Sequence, residues 1–252
     1  MAVVSFPGWS QVLVVPESGY LLTSLPVFLL VLLAWPQLKN LIKSKASATQ
    51  VSVDFMKFKR TQYLFMDMLR RYRIEDFERL DDAACMTFGN KDATVEVYTV
   101  TNPHCGHCTG TFEVFDELLS SLGTDFKLNI VFSVPVSQIE AESTQIARVM
   151  LEIYQQDPRK AYKAYKDWYA HKDVKAWQAQ YGLPQNQDSL THLETSKDWC
   201  SKCGVVGTPT TIISGHEFPQ EYVIEDLLYL MVDLTELSKI EKPMAQEEAE
   251  LV

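Results

Sequence analysis

The chain has 252 residues, a net charge of −10 and an apolar fraction of 46%. This length and composition are typical of one sizeable globular domain with additional segments, and the acidic balance argues against a nucleic-acid partner. Five cysteines are too few for a disulfide-rich scaffold. Four of them form two CxxC pairs, Cys105/Cys108 and Cys200/Cys203, and Cys85 is left over.

The N-terminal part of the chain contains 21 consecutive uncharged residues, 18–38. That length can cross a bilayer, and Tyr20 and Trp35 near its ends occupy positions typical of interfacial aromatic residues. We therefore predict an N-terminal segment, residues 1–44, with one transmembrane helix in contact with the lipid bilayer. A buried helix of a soluble core is the alternative. The lysines that follow favour a cytoplasmic location for the rest of the chain.

Residues 45–82 predict a linker with an amphipathic helix, because apolar and basic side chains alternate at helical spacing. This helix would either lie on a membrane surface or pack on the following domain. The apolar positions are Val53, Phe55, Met56, Tyr63, Leu64, Met66 and Leu69.

The central motif of the chain is TNPHCGHC, residues 101–108. A run of β-formers, 94–100, precedes it and a helical pattern, 109–122, follows it. Cys105 would therefore lie where helix amide groups favour its thiolate, and Cys108 would lie one turn further in. This arrangement predicts a redox dithiol.

His107 between the two cysteines would favour ionisation of Cys105, and a more stable thiolate makes the couple more oxidising. A zinc site and an inert cysteine pair are the alternatives. Zinc usually requires two such pairs about 15–20 residues apart or downstream histidines. Haem attachment requires a histidine directly after the second cysteine, where this chain has Thr109.

The remaining elements predict an α/β domain over residues 83–240, with a disordered acidic tail at 241–252. A strand, a helix and a strand around the motif form a parallel unit. A helical insertion is expected at 137–202, where aromatic residues either line a substrate groove or pack on the sheet. The predicted strands are 86–88, 94–100, 127–134, 210–213 and 216–218, and a last helix is predicted at 223–237.

A second motif, GTPT at residues 207–210, lies about a hundred residues after the first CxxC. Pro209 before a strand indicates a strand start or a cis bond. Cys200/Cys203 just before it is either a second redox pair or two half-buried small apolar residues. Cys85 is expected in the core. His104 is expected to be exposed beside the first CxxC. The three histidines further along the chain do not have the spacing of metal ligands, and no metal is predicted. They are His171, His192 and His216.

The chain from about residue 86 to 237 resembles the thioredoxin-like domain with a helical insertion of DsbA-type oxidoreductases. More narrowly, it resembles the thioredoxin domain fused to bacterial vitamin K epoxide reductase homologues. The matching segments are FGN at 88–90, TNPHCGHC at 101–108, WC at 199–200, GTPT at 207–210 and YVIEDL at 222–227.

This resemblance implies a thioredoxin-like fold and a catalytic dithiol, without a cofactor, that exchanges disulfides with cysteine-containing proteins during oxidative folding. Thr208 and Pro209 would hold the substrate backbone, and a quinone-linked membrane partner would recycle the dithiol. That role places the domain on the periplasmic or extracytoplasmic side. A disulfide reductase or isomerase, and a non-catalytic zinc-binding or chaperone-like module, are the alternative functions.

The sequence departs from this family pattern in two places. One apolar run and no cysteine before Cys85 mean that the quinone-reducing domain would be a separate protein or part of a longer chain. In many thioredoxins a buried acid lies six residues before the first cysteine, where this chain has Thr99. Glu96 is nearby, and the proton acceptor for Cys108 is not assigned from the sequence.

Overall fold

The structure is a computed structural model that describes residues 3–4, 13–14 and 18–235. The chain divides into two compact units, Met1–Lys59 and Arg60–Val252. The acidic tail predicted at 241–252 lies outside the described residues.

The first unit contains one long helix, α1, which spans Ser18–Lys59 and has Pro26 and Pro36 within it. Its two short strands, β1 (Val3–Val4) and β2 (Leu13–Val14), pair in antiparallel orientation. Helix α1 continues to Lys59 and so extends into residues 45–82, for which the sequence predicts a linker with an amphipathic helix.

Within residues 18–235, no helix has both the length and the apolar character that a bilayer crossing needs. The expected transmembrane helix at about 18–38 is therefore not supported.

The second unit begins with helix α2, Gln62–Arg71, which buries Phe65 and Leu69. Its core is a five-stranded sheet in the order β3-β5-β4-β6-β7. Strand β4 pairs parallel with β5 and antiparallel with β6, and the two edge strands are antiparallel to their neighbours. The strands are β3 (Met86–Gly89), β4 (Val95–Thr101), β5 (Phe126–Phe132), β6 (Thr210–Ile213) and β7 (His216–Glu217).

Helix α3, Cys108–Leu122, connects the parallel strands β4 and β5, which confirms the predicted strand–helix–strand unit. Four helices lie between β5 and β6, in the region where the sequence predicts an insertion. They are α4 (Glu142–Gln156), α5 (Pro158–His171), α6 (Val174–Tyr181) and α7 (Asp188–Lys202). After β7, a 3-10 turn at Ile224–Asp226 leads into a helical stretch, residues 227–235.

The sheet separates two apolar clusters because alternate residues of a strand face opposite sides. Val97 of β4 belongs to the larger cluster together with Cys108 and Leu118 of α3. Tyr98 belongs to the smaller cluster, in which Trp199 of α7 covers the opposite face. All seven residues of β4 are buried, as the near-continuous run of β-formers predicts for a central strand.

The larger cluster provides a test of the fold through two leucines of opposite exposure. Leu128 in β5 is 1% exposed and Leu183 is 53% exposed. We expect Leu128→Ala to lower the free energy of unfolding by about 2–5 kcal/mol, because it removes buried methyl groups and leaves a cavity. Leu183→Ala should change it by less than about 0.5 kcal/mol. Urea unfolding followed by circular dichroism measures both; equal losses would contradict the described packing.

Candidate active site

The first CxxC lies in the turn between the end of the central strand β4 and the start of α3. Asn102 shapes this turn: its side-chain oxygen accepts from the His104 N–H (2.9 Å) and its carbonyl accepts from the Cys105 N–H (2.9 Å). The Asn102 side-chain amide donates to the Ser133 carbonyl after β5 (2.7 Å). The turn is thus attached to both parallel strands, which holds Cys105 in place before the first turn of the helix.

The Cys105 thiol is partly exposed and faces the GTPT loop, where it donates to the Thr208 carbonyl (3.3 Å). Partial burial raises the pKa of Cys105. Hydrogen bonds from the Cys108 thiol, the Thr208 side chain and the main-chain N–H groups of Cys108 and His107 outweigh this, and the net effect lowers the pKa. Cys105 therefore has the environment of a nucleophilic thiolate.

His107 is exposed and immediately precedes α3. The interaction that it contributes to the ionised Cys105 comes from its main-chain N–H. The contribution that the sequence predicted from the imidazole charge stays a prediction.

Cys108 is buried (1% exposed) beneath Cys105. Burial, followed by the hydrogen bond with Cys105, raises the pKa of Cys108, and a hydrogen bond from the Thr101 side chain acts in the opposite direction. The two thiols therefore differ: Cys105 is accessible and readily ionised, whereas Cys108 is shielded and retains its proton. This asymmetry is what an attacking and a resolving thiol need.

Hydroxyl groups occupy the space below Cys108. The Thr101 hydroxyl lies 2.7 Å from the Tyr169 hydroxyl of α5. Thr99, Thr101, Cys108 and Tyr165 line a small cavity of about 10 Å³, which is room for about one water molecule. Many thioredoxins have a buried acid at the position of Thr99. In this chain the position supplies a hydroxyl group to the cavity but no charge.

Glu96 does not replace that acid. It lies on the other face of β4, where its carboxylate forms an ion pair with Lys127 (2.9 Å) and accepts from the Tyr98 hydroxyl (3.1 Å). Burial raises the pKa of Glu96, but hydrogen bonding and charge from Lys127, together with the Arg79 charge, outweigh it and lower the pKa. Glu96 is therefore a stable carboxylate remote from the Cys108 face.

The Thr208–Pro209 peptide bond is cis, and β6 begins at Thr210, so both features indicated by Pro209 in the sequence are present. A groove of about 290 Å³ lies beside this loop. It is lined on one side by Thr111 of α3 and on the other by Pro209, Phe218 and Tyr222. Pro209 in its lining directly follows Thr208, whose carbonyl contacts the Cys105 thiol.

The C-terminal end of helix α5 holds the active-site turn from the opposite side. The Trp168 indole N–H donates to the Pro103 carbonyl (2.9 Å), and Lys172 Nζ donates to the Cys105 carbonyl (3.1 Å). Exposed His104 packs against the Trp168 ring, with centroids 5.7 Å apart. One turn of the insertion therefore orients the turn that carries the nucleophile and adds a positive charge next to it.

The sequence analysis did not identify Lys172 as a site residue. It left open whether the aromatic residues near Lys172 line a substrate groove or pack on the sheet. Tyr165, Trp168, Tyr169 and Lys172 recur at the spacing of one helix face, which is the signal that could have indicated a shared partner. The identity of that partner depends on contacts between residues 65 or more positions apart, which local patterns do not report.

Cys200 and Cys203 lie at the end of α7 in the smaller apolar cluster, on the face of the sheet opposite to Cys108. Cys85 is also in that cluster and is 1% exposed, as expected for a core residue. Within the described residues, no group of three or more histidine, cysteine or acidic side chains is arranged to hold a metal ion.

The contact of Lys172 with Cys105 generates a testable prediction. Lys172→Met should raise the pKa of Cys105, because a nearby positive charge favours a thiolate. Alkylation of Cys105 at neutral pH should slow by about two- to fivefold, and the pH midpoint of the rate should move upwards. Lys175→Met, an exposed lysine on α6, is the matched control. An unchanged midpoint in Lys172→Met would exclude this electrostatic effect.

Comparison with known proteins supports the same fold. The catalytic domain of Proteus mirabilis ScsC is 19% identical with a TM-score of 0.52, and the alignment covers 68% of this chain and 98% of that chain. A periplasmic thioredoxin-like protein from Salmonella enterica serovar Typhimurium is 18% identical with a TM-score of 0.51, covering 62% and 92%. BdbD from Bacillus subtilis is 14% identical with a TM-score of 0.50, covering 64% and 95%.

At these identities the solved structures establish the fold alone, and they do not support the narrower resemblance to vitamin K epoxide reductase fusions. No curated protein sequence matches the chain. Residues 82–231, more than half of the chain, match the family model described as thioredoxin. The chain therefore belongs to the thioredoxin family.

Proposed function

We propose that this protein is a thiol:disulfide oxidoreductase that transfers the Cys105–Cys108 disulfide to cysteine-containing proteins. The observation that carries the proposal is the asymmetry of the two thiols. Cys105 is partly exposed and has a lowered pKa, whereas Cys108 is buried and has a raised pKa. A stabilised Cys105 thiolate favours the reduced form of the pair and so makes the disulfide an oxidant.

The reaction begins when a substrate thiolate attacks Cys105 Sγ of the disulfide. The Cys105–Cys108 bond breaks, a mixed disulfide forms, and Cys108 leaves as a thiolate that takes up a proton, as its raised pKa requires. The hydrogen bond from Thr101 stabilises the charge on Cys108 until that proton arrives.

In the second step, another substrate thiolate attacks the substrate sulfur of the mixed disulfide. The substrate gains its own disulfide, and Cys105 leaves as a thiolate. The hydrogen bonds that lower the pKa of Cys105 also make it a good leaving group. Overall, two substrate thiols are oxidised and the Cys105–Cys108 disulfide is reduced to a dithiol.

The substrate site in this proposal is the groove beside Pro209. Thr208 and Pro209 place extended backbone opposite Cys105, and a peptide in this position can pair with the loop through main-chain hydrogen bonds. Phe218 and Tyr222 supply apolar surface in the groove, which suits the apolar side chains that unfolded proteins expose. This favours folding proteins over small thiols as substrates.

Renewed oxidation of the dithiol requires a partner that accepts two electrons. The resemblance of the sequence points to a quinone-linked membrane protein of the vitamin K epoxide reductase type, and we include this partner in the proposal. A location outside the cytoplasm follows from the oxidising role. The likeness to the periplasmic Salmonella protein supports that location.

The two-step reaction predicts different behaviour for the two cysteine variants. Cys105→Ser should abolish oxidation of a reduced model protein, because the Cys105–Cys108 disulfide that the substrate thiolate attacks can no longer form. Cys108→Ser, mixed with a model protein that contains a disulfide, should accumulate a mixed disulfide between Cys105 and that protein, visible on non-reducing gels, because the resolving thiol is missing. Cys85→Ser is the control and should retain activity. Residual activity in Cys105→Ser would contradict the mechanism.

The reduction potential distinguishes an oxidase from a reductase or isomerase on the same fold. Thioredoxin has a potential of about −270 mV and DsbA about −120 mV. We expect the Cys105–Cys108 pair to lie well above the thioredoxin value in a glutathione titration followed by alkylation of Cys105. A potential near −270 mV would indicate a reductase, and stoichiometric zinc in the purified protein would indicate a metal-binding module instead.

A further inference from the structure

The two CxxC pairs of this chain lie at opposite ends of their helices. Cys105 precedes α3 and Cys108 is its first residue, whereas Cys200 is in the last turn of α7 and Cys203 directly follows that helix. Amide groups at a helix start stabilise a negative charge, and carbonyl groups at a helix end oppose it. Identical spacing therefore gives opposite electrostatic environments.

The surroundings of the second pair are apolar. Cys200 is 5% exposed and packs with Tyr98, Trp199 and Ile212, and Cys203 is half-buried against the same cluster. The Trp199 indole N–H donates to the Glu78 carbonyl (2.8 Å), which fixes this side of α7. Burial raises the pKa of Cys200 to about 12 and that of Cys203 to about 11.

Cys200 and Cys203 are free thiols in the structure, and both lie against the smaller cluster on the same side of α7. Residues three positions apart in a helical turn share one face, and the two sulfurs interact electrostatically. The spacing equals that of the active-site pair. A dithiol at a helix end among apolar neighbours stays protonated at neutral pH, so ionisation does not stabilise its reduced form. Its disulfide therefore resists reduction more strongly than the disulfide of a thiolate-forming pair.

The second pair also adjoins the substrate loop. The Val205 N–H donates to the Cys200 carbonyl (2.9 Å), and Gly204 between Cys203 and Val205 has a left-handed backbone (φ +69°). Thr208, the residue whose carbonyl contacts Cys105, follows shortly after. A covalent bond between Cys200 and Cys203 would therefore fix the point from which this loop extends.

We propose that Cys200 and Cys203 form a second disulfide, more stable than the active-site disulfide, that fastens the end of α7 to the substrate loop and takes no part in substrate exchange. Cys85 belongs to the same cluster but remains a thiol. Its sulfur lies 3.7 Å from the Thr87 hydroxyl and 4.0 Å from the Asn129 side-chain oxygen, so its polar neighbours are on β3 and β5.

The oxidant for this bond is a disulfide, such as oxidised glutathione. The half-buried Cys203 loses its proton to solvent and its thiolate attacks glutathione disulfide, which releases one glutathione thiolate. Cys200 then loses its proton and attacks the Cys203 sulfur, which releases the second glutathione. Two protein thiols are oxidised, and one glutathione disulfide becomes two glutathione molecules.

The test is a glutathione titration that reads the two pairs separately. The full chain is unfolded, reduced and refolded in buffers of graded glutathione ratio, so that burial does not block access to Cys200. Remaining thiols are alkylated under denaturing conditions, and the peptides that carry each pair are quantified by mass spectrometry. Fully oxidised protein is incubated in the same buffers, and equal fractions of disulfide from both starting states show that equilibrium has been reached.

We expect half-oxidation of Cys200/Cys203 at a glutathione ratio at least about tenfold more reducing than for Cys105/Cys108, which corresponds to about 30 mV. Cys85 should be alkylated throughout. Free Cys200 and Cys203 at ratios where Cys105/Cys108 is fully oxidised would overturn the proposal, as would coincident titration of the two pairs. Only the comparison with Cys105/Cys108 rests on the proposed function. If the protein proved inactive toward protein thiols, the measured oxidation of Cys200/Cys203 would still test the second disulfide.

A second measurement tests the fastening of the loop. Amide hydrogen exchange of residues 203–210 should be several-fold faster in the double variant Cys200→Ser/Cys203→Ser than in the oxidised parent. Cys85→Ser is the matched control and should leave this exchange unchanged. The pH midpoint of Cys105 alkylation should be the same in all three proteins. Equal loop exchange in parent and double variant would exclude the fastening role.

Discussion

The structure depends on the position of one sulfur at the junction of a central strand and a helix. Strand β4 is buried along its whole length between β5 and β6, so the point at which it ends is fixed by the sheet. Asn102 turns the chain, α3 begins at Cys108, and Cys105 meets the first main-chain N–H groups of that helix. The sheet thereby supplies rigidity and the helix start supplies the electrostatic stabilisation of a thiolate.

The helical insertion contributes directly to this site. Its helix α5 contacts the active-site turn through a tryptophan, a tyrosine and a lysine, which reach Pro103, Thr101 and Cys105. These contacts have distinct physical effects: one orients the turn, one completes the hydroxyl pair below the buried thiol, and one places a positive charge beside the nucleophile. A segment that covers the sheet thus also contacts the turn that carries Cys105 and the hydroxyl group next to Cys108.

The same sequence pattern acquires different chemistry at the two ends of a helix. At the start of α3, amide groups and solvent access favour a reactive thiolate, whereas at the end of α7 apolar neighbours and carbonyl groups favour neutral thiols. The two pairs lie on opposite faces of the sheet, which separates the dithiol that we propose to exchange disulfides from the one that we propose to be structural. Both pairs nevertheless contact the chain around Thr208. Cys105 contacts the Thr208 carbonyl, and the Cys200 carbonyl accepts a hydrogen bond from Val205, which precedes the loop.

The sequence by itself determined the strand before the CxxC, the helix after it, the inserted helices and the cis-proline loop, because local patterns of apolar residues, proline and cysteine specify these features. It did not determine which side chains surround the thiols. The contribution of Lys172, the facing of Glu96 away from Cys108 and the main-chain contribution of His107 follow from the sheet register and from helix α5 packing across it. The uncharged run at 18–38 suggested a membrane helix, but no helix among the described residues is both long enough and apolar enough to cross a bilayer. Tertiary structure decides these points because they depend on residues that are distant in the chain and become neighbours only when the sheet and helices pack.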